Sequence, residues 1–191
     1  MLLRVIQYGE PVLREKGEAV KSFDGELLRL ARDMRETMEA HEGIGLAAQQ
    51  VGVALRLCVV DLGPAVAETG MTLLDGKMVP PAVLMPLFLA NPRVEPIAPV
   101  ELGVMEEGCL SFRGIRGEVP RPNRIEVSYQ DLDGQAHVLV CEELLARCIQ
   151  HEVDHLEGVL FIDRMPESEL RGLRKKLRRL SRGSPPDTNE P

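Results

Sequence analysis

Tryptophan is absent from this chain, and aromatic residues of all kinds make up only 3% of its 191 residues. A core must therefore rest on Leu, Val, Ile and Met. Cysteine is sparse, at positions 58, 109, 141 and 148, and no CxxC pair occurs. That pattern indicates neither a redox dithiol nor a zinc knuckle. Free thiols are expected in a reducing compartment. No uninterrupted apolar run is long enough to span a bilayer, so no membrane partner is expected. The start, Met1-Leu2-Leu3-Arg4-Val5-Ile6, has one early cation and no cleavage signal. It reads as no signal peptide and implies a cytoplasmic protein. A basic excess is missing too. The net charge of −7 speaks against a broad nucleic-acid surface on the body of the protein, so no DNA partner is expected. No internal repeat is present.

What is there suits one domain, or one domain with a tail. From Asp24 to His41 the apolar positions Leu27, Leu30, Ala31, Met34 and Met38 follow helical spacing, with Asp24 as N-cap and Gly43 as terminator. Arg56 to Asp61 reads as a buried strand. Residues 62–86 carry four prolines among apolar residues, which excludes a central strand or a long helix. Leu87 to Ala90 reads as a strand that ends in a turn at Asn91-Pro92. Val94 to Met105 reads as a strand pair broken by Pro96 and Pro99. Ile125 to Asp131 and His137 to Cys141, joined at Asp133-Gly134, give a hairpin. Glu142 to Leu156 is a second, largely apolar helix that should lie deep in the fold. Val159 to Ile162 reads as a short strand, 167–182 as a basic helix, and 183–191 as disordered. The expected class is α+β, with short antiparallel strands packed around a central metal-binding helix and a second, amphipathic helix.

That central helix contains His151-Glu152-Val153-Asp154-His155, an HExxH pentapeptide. At 3.6 residues per turn the two histidines lie about 40° apart around the axis, so both rings can reach one ion. Glu152 projects to nearly the same side. A hydrolase needs this set: an ion to acidify water and a base to take the proton. Two imidazoles do not complete such a site, which usually takes three protein ligands. Phe161 stands where a third histidine of HExxHxxGxxH would fall, and Glu167 and Glu169 open a basic, exposed-looking helix. Cys109, in Glu106-Glu107-Gly108-Cys109-Leu110-Ser111, is the better third ligand.

Three segments, Gly43–Gln50, Glu107–Ser111 and His151–His155, resemble the three motifs of peptide deformylases, GxGLAAxQ, EGCLS and HExxH, in the family's order. The flanks Tyr8–Arg14, Gly114–Pro122 and Glu157–Phe161 agree, and the resemblance spans roughly residues 3 to 165. It implies a catalytic domain over 1–166, followed by the basic helix and tail of 167–191. The implied activity is removal of the N-terminal formyl group from formyl-methionyl nascent peptides, with release of formate. The resemblance assigns the metal to Cys109, His151 and His155, with Fe(II) favoured and Zn, Ni or Co also fitting the donor set. A metal-bound hydroxide would attack the formyl carbon, Glu152 would handle the proton, and Gln50 with the backbone N–H of Leu110 would hold the oxyanion. Ile44, Gly45 and Gly108 would meet the peptide backbone, and Arg116 would join them. Ile44, Leu144 and Cys148 would form the methionine pocket.

Three features depart from the family's usual pattern. Phe112-Arg113 replace a β-branched residue and Pro. Arg147 stands where an apolar residue of the pocket rim is frequent. Loop 62–86 is long. Glu107 reads either as a group that orients a ligand or as a surface carboxylate. Asp154 reads as a salt-bridge partner, Cys58 and Cys141 as core, and His41 and His137 as surface. The cations of 171–182 read as a solvated face, or as a docking site for the ribosome. A zinc endopeptidase, a blue copper protein and a non-catalytic ribosome-associated module are the rival readings. The third ligand, the carboxylate at 152 and the amide at 50 discriminate against them.

Overall fold

The computed structural model describes residues 1–182, so the tail at 183–191, expected to be disordered, lies outside the described residues. Helix α1 (Gly25–Ala40) starts where its cap requires: the Asp24 carboxylate accepts from the N–H groups of Glu26 and Leu27. Those are two of the four donors that any helix start leaves open. Strands β1 (Gly45–Ala47) and β2 (Leu57–Val60) follow. Residues 62–86 fold into a 3₁₀ turn, a small hairpin of β3 (Leu73–Leu74) and β4 (Lys77–Met78), and one helical turn, α2 (Pro81–Leu84). Then come β5 (Leu87–Pro96), β6 (Leu102–Gly108), β7 (Arg116–Pro122), β8 (Arg124–Gln130) and β9 (Ala136–Glu142). Helices α3 (Glu143–Leu156) and α4 (Glu167–Leu180) complete the chain. Seven strands form one antiparallel sheet in the order β1-β2-β5-β8-β9-β3-β4, and β6 and β7 pair separately. The class is α+β.

Strand β2 explains why two helices flank the sheet. All four of its residues are buried. Cys58 and Val60 face α3, packing with Leu145, Ile149 and Leu156. Leu57 and Val59 face α1, packing with Leu27, Ala31, Met34 and Met38. Side chains alternate across a strand, so a continuous apolar run needs cover on both faces. Each such side chain removed from water contributes about 1.5–3 kcal/mol. A third cluster lies beneath the β6–β7 hairpin. Leu13, Phe112, Ile115, Val119, Phe161 and Leu177 fill it, and Leu170, Leu173 and Leu180 of α4 pack against it.

Three sequence expectations fail, for identifiable reasons. The chain does not turn at Asn91-Pro92. The strand continues through a bulge between Ala90 and Arg93. Asn91 takes φ 53°, a left-handed conformation that asparagine tolerates. Its amide accepts from Val20 N–H (2.8 Å) and donates to Val20 C=O (2.9 Å), standing in for a strand partner. Val94 to Met105 is not a strand pair: its two ends belong to β5 and β6, in different sheets. Val159 to Ile162 is not a strand, because Val159 N–H returns to Asp154 C=O and Leu160 N–H is taken by the Asp163 carboxylate. No helix among the described residues is long and apolar enough to cross a membrane.

Asn91→Ala loses the Val20 bonds and the left-handed preference together, so chemical denaturation should show a cost of about 2–4 kcal/mol, and Asn91→Gly should recover the backbone share of about 1 kcal/mol. His137 is held between Asp75 (2.8 Å) and Asp131 (3.3 Å), which pins the β3–β4 turn to β9. The Asp75 hydrogen bond raises His137 above its ordinary 6.5, against desolvation. A raised folded value means that this contribution is complete below the unfolded pKa and is lost as pH rises through the folded one. Asp75, lowered by the Val138 N–H and by His137, contributes with the opposite sign, and its share is lost at acid pH. An NMR titration should place His137 above 6.5, and Asp75→Asn should return it toward that value; a wild-type value at or below it refutes the assignment.

Candidate metal centre

Helix α3 and the hairpin β6–β7 bring the site together. His151 and His155 lie one turn apart on α3, both buried. Cys109 follows the last residue of β6, in a turn closed by Phe112 N–H to Cys109 C=O (2.9 Å). Phe112 anchors that turn, stacked on Tyr8 at 4.7 Å and edge-on to Phe161 at 5.1 Å. The Cys109 sulfur and one nitrogen from each histidine all lie within 4.8 Å of one another. Cys109 Sγ stands 3.3 Å from His155 Nε2. Among the described residues no other group of His, Cys, Asp and Glu converges in this way. One thiolate and two imidazoles suit a borderline divalent ion such as Fe(II) or Zn(II).

Buried ions fix the His151 ring. Glu107 Oε2 lies 2.9 Å from His151 Nδ1, an arrangement that lets Nδ1–H donate and leaves Nε2 for a ligand bond. Glu107 also accepts from Arg121 (2.6 and 3.0 Å) and from Arg147 (2.7 Å). Arg121 reaches on to Asp154 at 2.7 Å, and Asp154 is in turn held by Arg164 at 2.7 Å. Desolvation works to raise the Glu107 carboxyl, but the bonds from His151 and Arg121 overcome it and hold the group at about 2. Glu152 has no such partners. Burial, opposed by the charge of His151, pushes its carboxyl up to about 7. Its Oε2 and the Nδ1 of His155 find no hydrogen-bond partner among the described residues. A buried acceptor left open beside three atoms able to bind a metal fits a site built to receive a donor.

A cleft of about 620 Å³ opens on one side of this centre. Ile44, Gly45, Gly108, Leu110, Arg116, Leu144, Cys148 and Glu152 line it, together with Gln50, Cys109 and His151. His155 lies behind, 1% exposed. Gln50 is oriented by Ala47 N–H, which donates to its Oε1 at 2.8 Å. Its Nε2 is thereby aimed at Cys109 Sγ and Ser111 Oγ, each 3.3 Å away. Gly45 is closely packed: a Cβ there would lie 2.3 Å from Glu152 Oε1 and 2.9 Å from Cys148 Sγ, so those side chains would have to shift. Arg116 lies over Gly108 and pairs with Glu106 at 2.8 Å.

A model of the polypeptide deformylase family matches residues 2–171. The chain belongs to this family. A peptide deformylase of Opitutus terrae is 53% identical over 165 residues, covering 86% of this chain and 85% of that protein. One from Methylacidiphilum infernorum is 41% identical over 183 residues, covering 96% and 95%. Among solved structures, the Thermotoga maritima peptide deformylase is similar at TM-score 0.73 and 39% identity, covering 87% of this chain and 99% of that one. The Synechococcus elongatus enzyme, solved in complex with actinonin, gives 0.76 and 43%, covering 91% and 85%. The likeness carries the enzyme class with it: a metal-dependent hydrolase of the peptide deformylase kind.

The deformylase motifs pointed to the three side chains that converge, but not to everything that holds them in place. Glu107, for which a surface position stood open, is buried and bonded on both oxygens. Arg121 was missed, although β7 carried a signal: Gly117, Val119 and Arg121 form its inward row, where an arginine must find an acid. Arg147 lines the cleft, but its guanidinium is buried and turned onto the hairpin. Asp154 is a salt-bridge partner, and Cys58 and Cys141 are core. Gly45→Ala is expected to drive Glu152 from its place, visible as a changed rotamer in a crystal structure and as a lowered thermal midpoint. Gly25→Ala, with no atom within 4 Å of the added carbon, should leave Glu152 where it is.

Proposed function

We propose that this protein removes the formyl group from the N-terminal formyl-methionine of nascent peptides, releasing formate. The observation that carries this reading is the convergence of Cys109, His151 and His155 at one end of a cleft that also holds an unpartnered Glu152 oxygen and the Gln50 amide. A divalent cation on those three ligands, Fe(II) in our reading, would supply acidified water and a Lewis acid for the formyl oxygen. Glu152 takes the proton released there and returns it to the leaving amine. Gln50 Nε2 and the backbone N–H of Leu110 donate to the oxyanion that develops on the formyl oxygen. Glu107 keeps His151 in the tautomer that binds through Nε2. Ile44, Leu144 and Cys148 receive the methionine side chain. Backbone groups of Ile44, Gly45 and Gly108, with Arg116, hold the peptide extended. We place the protein in the cytoplasm, with the nascent formyl-methionyl chains on which it would act.

Formate release from formyl-Met-Ala by the metal-loaded protein tests the reading. Glu152→Ala should abolish turnover while retaining the metal, and Gln50→Ala should lower it by about 10²–10³. Wild-type protein that holds its metal and releases no formate would end the proposal.

We further read residues 1–166 as the catalytic unit and α4 as a docking helix for ribosomal RNA. Its leucines face the third cluster, while Arg171, Lys175 and Arg178 are exposed. Each phosphate contact makes such binding steeply salt-dependent. Truncation would strip Leu177 from the core, so charge reversal at Arg171, Lys175 and Arg178 is the cleaner experiment. It should weaken ribosome binding and leave formyl-Met-Ala hydrolysis unchanged; equal ribosome affinity refutes the docking role.

A further inference from the structure

Arg147 is a buried cation beside the metal centre, and its contacts reach further than the site's chemistry requires. It lies one helical turn before His151 on α3 and is buried. Its Nη1 donates to Glu107 Oε1 at 2.7 Å and to Val119 C=O at 2.9 Å, and its Nη2 donates to Gly103 C=O at 2.7 Å. Gly103 belongs to β6 and Val119 to β7. One side chain of the histidine helix therefore grips both strands of the hairpin that presents Cys109, together with the carboxylate that meets His151.

Charge balance alone does not account for it. Glu107 already takes two bonds from Arg121 and one from His151. The bonds that only Arg147 makes are those to the two strand carbonyls, and they are directional. A planar fork can make three such bonds at fixed angles, whereas an ammonium supplies a point charge. We propose that Arg147 is a positioning residue: its fork sets the height of the Cys109 hairpin over α3, and with it the spacing of sulfur and imidazoles. This rests on the three-ligand site of the proposed function. It adds that the spacing is held by a side chain that neither binds the ion nor touches the substrate's reacting atoms.

The test uses full-length protein, Arg147→Lys and Arg147→Met. Zn(II) affinity is read by chelator competition, and sulfur ligation by the thiolate-to-cobalt charge-transfer band of the Co(II) form. Metal-free thermal midpoints are recorded alongside. Both variants should bind Zn(II) about tenfold or more weakly, in the range seen when ligand-supporting groups are lost. The cobalt band should also weaken, and Lys should not rescue either property. Unchanged Zn(II) affinity in folded Arg147→Met, or full recovery in Arg147→Lys, overturns the proposal. Should Arg147→Met fail to fold, Arg147→Lys alone decides between these results. No formyl peptide enters the measurement. A wild type that binds Zn(II) through sulfur but releases no formate would sink the reaction and leave this inference standing. A wild type without thiolate ligation would sink both.

Discussion

One buried carboxylate joins the two halves of the site. Glu107 comes from the hairpin, and His151 and Arg147 come from the helix; Arg121 returns the contact to the hairpin and passes it on to Asp154. Taking these ions from water is costly, and only near-complete bonding offsets it. Removing one partner would leave the others buried and unpaired, a loss of about 3–5 kcal/mol. The network is therefore better understood as a device for geometry than as a source of net stability. It fixes where a thiol from one sheet meets two imidazoles from a helix packed on another.

The rest of the architecture serves that meeting. The seven-stranded sheet gives α3 a flat apolar bed, and α1 covers the opposite face of the same strands. With so few aromatic residues, most of the packing is aliphatic. Three of the six aromatics, Tyr8, Phe112 and Phe161, are spent beneath the cysteine turn, where rigid rings hold a loop better than flexible chains would.

The convergence of Cys109, His151 and His155 was legible in the sequence because the chemistry allows few substitutes: a helical HExxH calls for a third donor, and Cys109 sits in a motif of its own. The two helices were legible from the 3.6-residue period, and the β8–β9 hairpin from alternation and Asp133-Gly134. What misled was proline read by rule. Asn91-Pro92 resembles a stop, but the Asn91 side chain replaces the missing strand partner, which only the fold brings near. Arg121 and Arg147 were hidden for the same reason, and Glu107 stood open between orienting a ligand and lying at the surface: a buried ion is defined by its partners, and these lie 14 and 40 positions away from Glu107.

The third hydrophobic cluster unites the two ends of the described chain. Leu13 and Leu177 share it, and the backbone of Ser181 lies against Gly9, 2.7 Å from where a Cβ would be. Vectorial synthesis cannot finish this layer until α4 has left the ribosomal tunnel. Loops closed over so long a contour form late, and folding slows as such distant contacts come to dominate. Until then Phe112 lacks its full floor, and the turn that carries the sulfur ligand is not yet locked. The order of translation thus leaves the packing beneath the Cys109 turn among the later contacts that the described chain can complete.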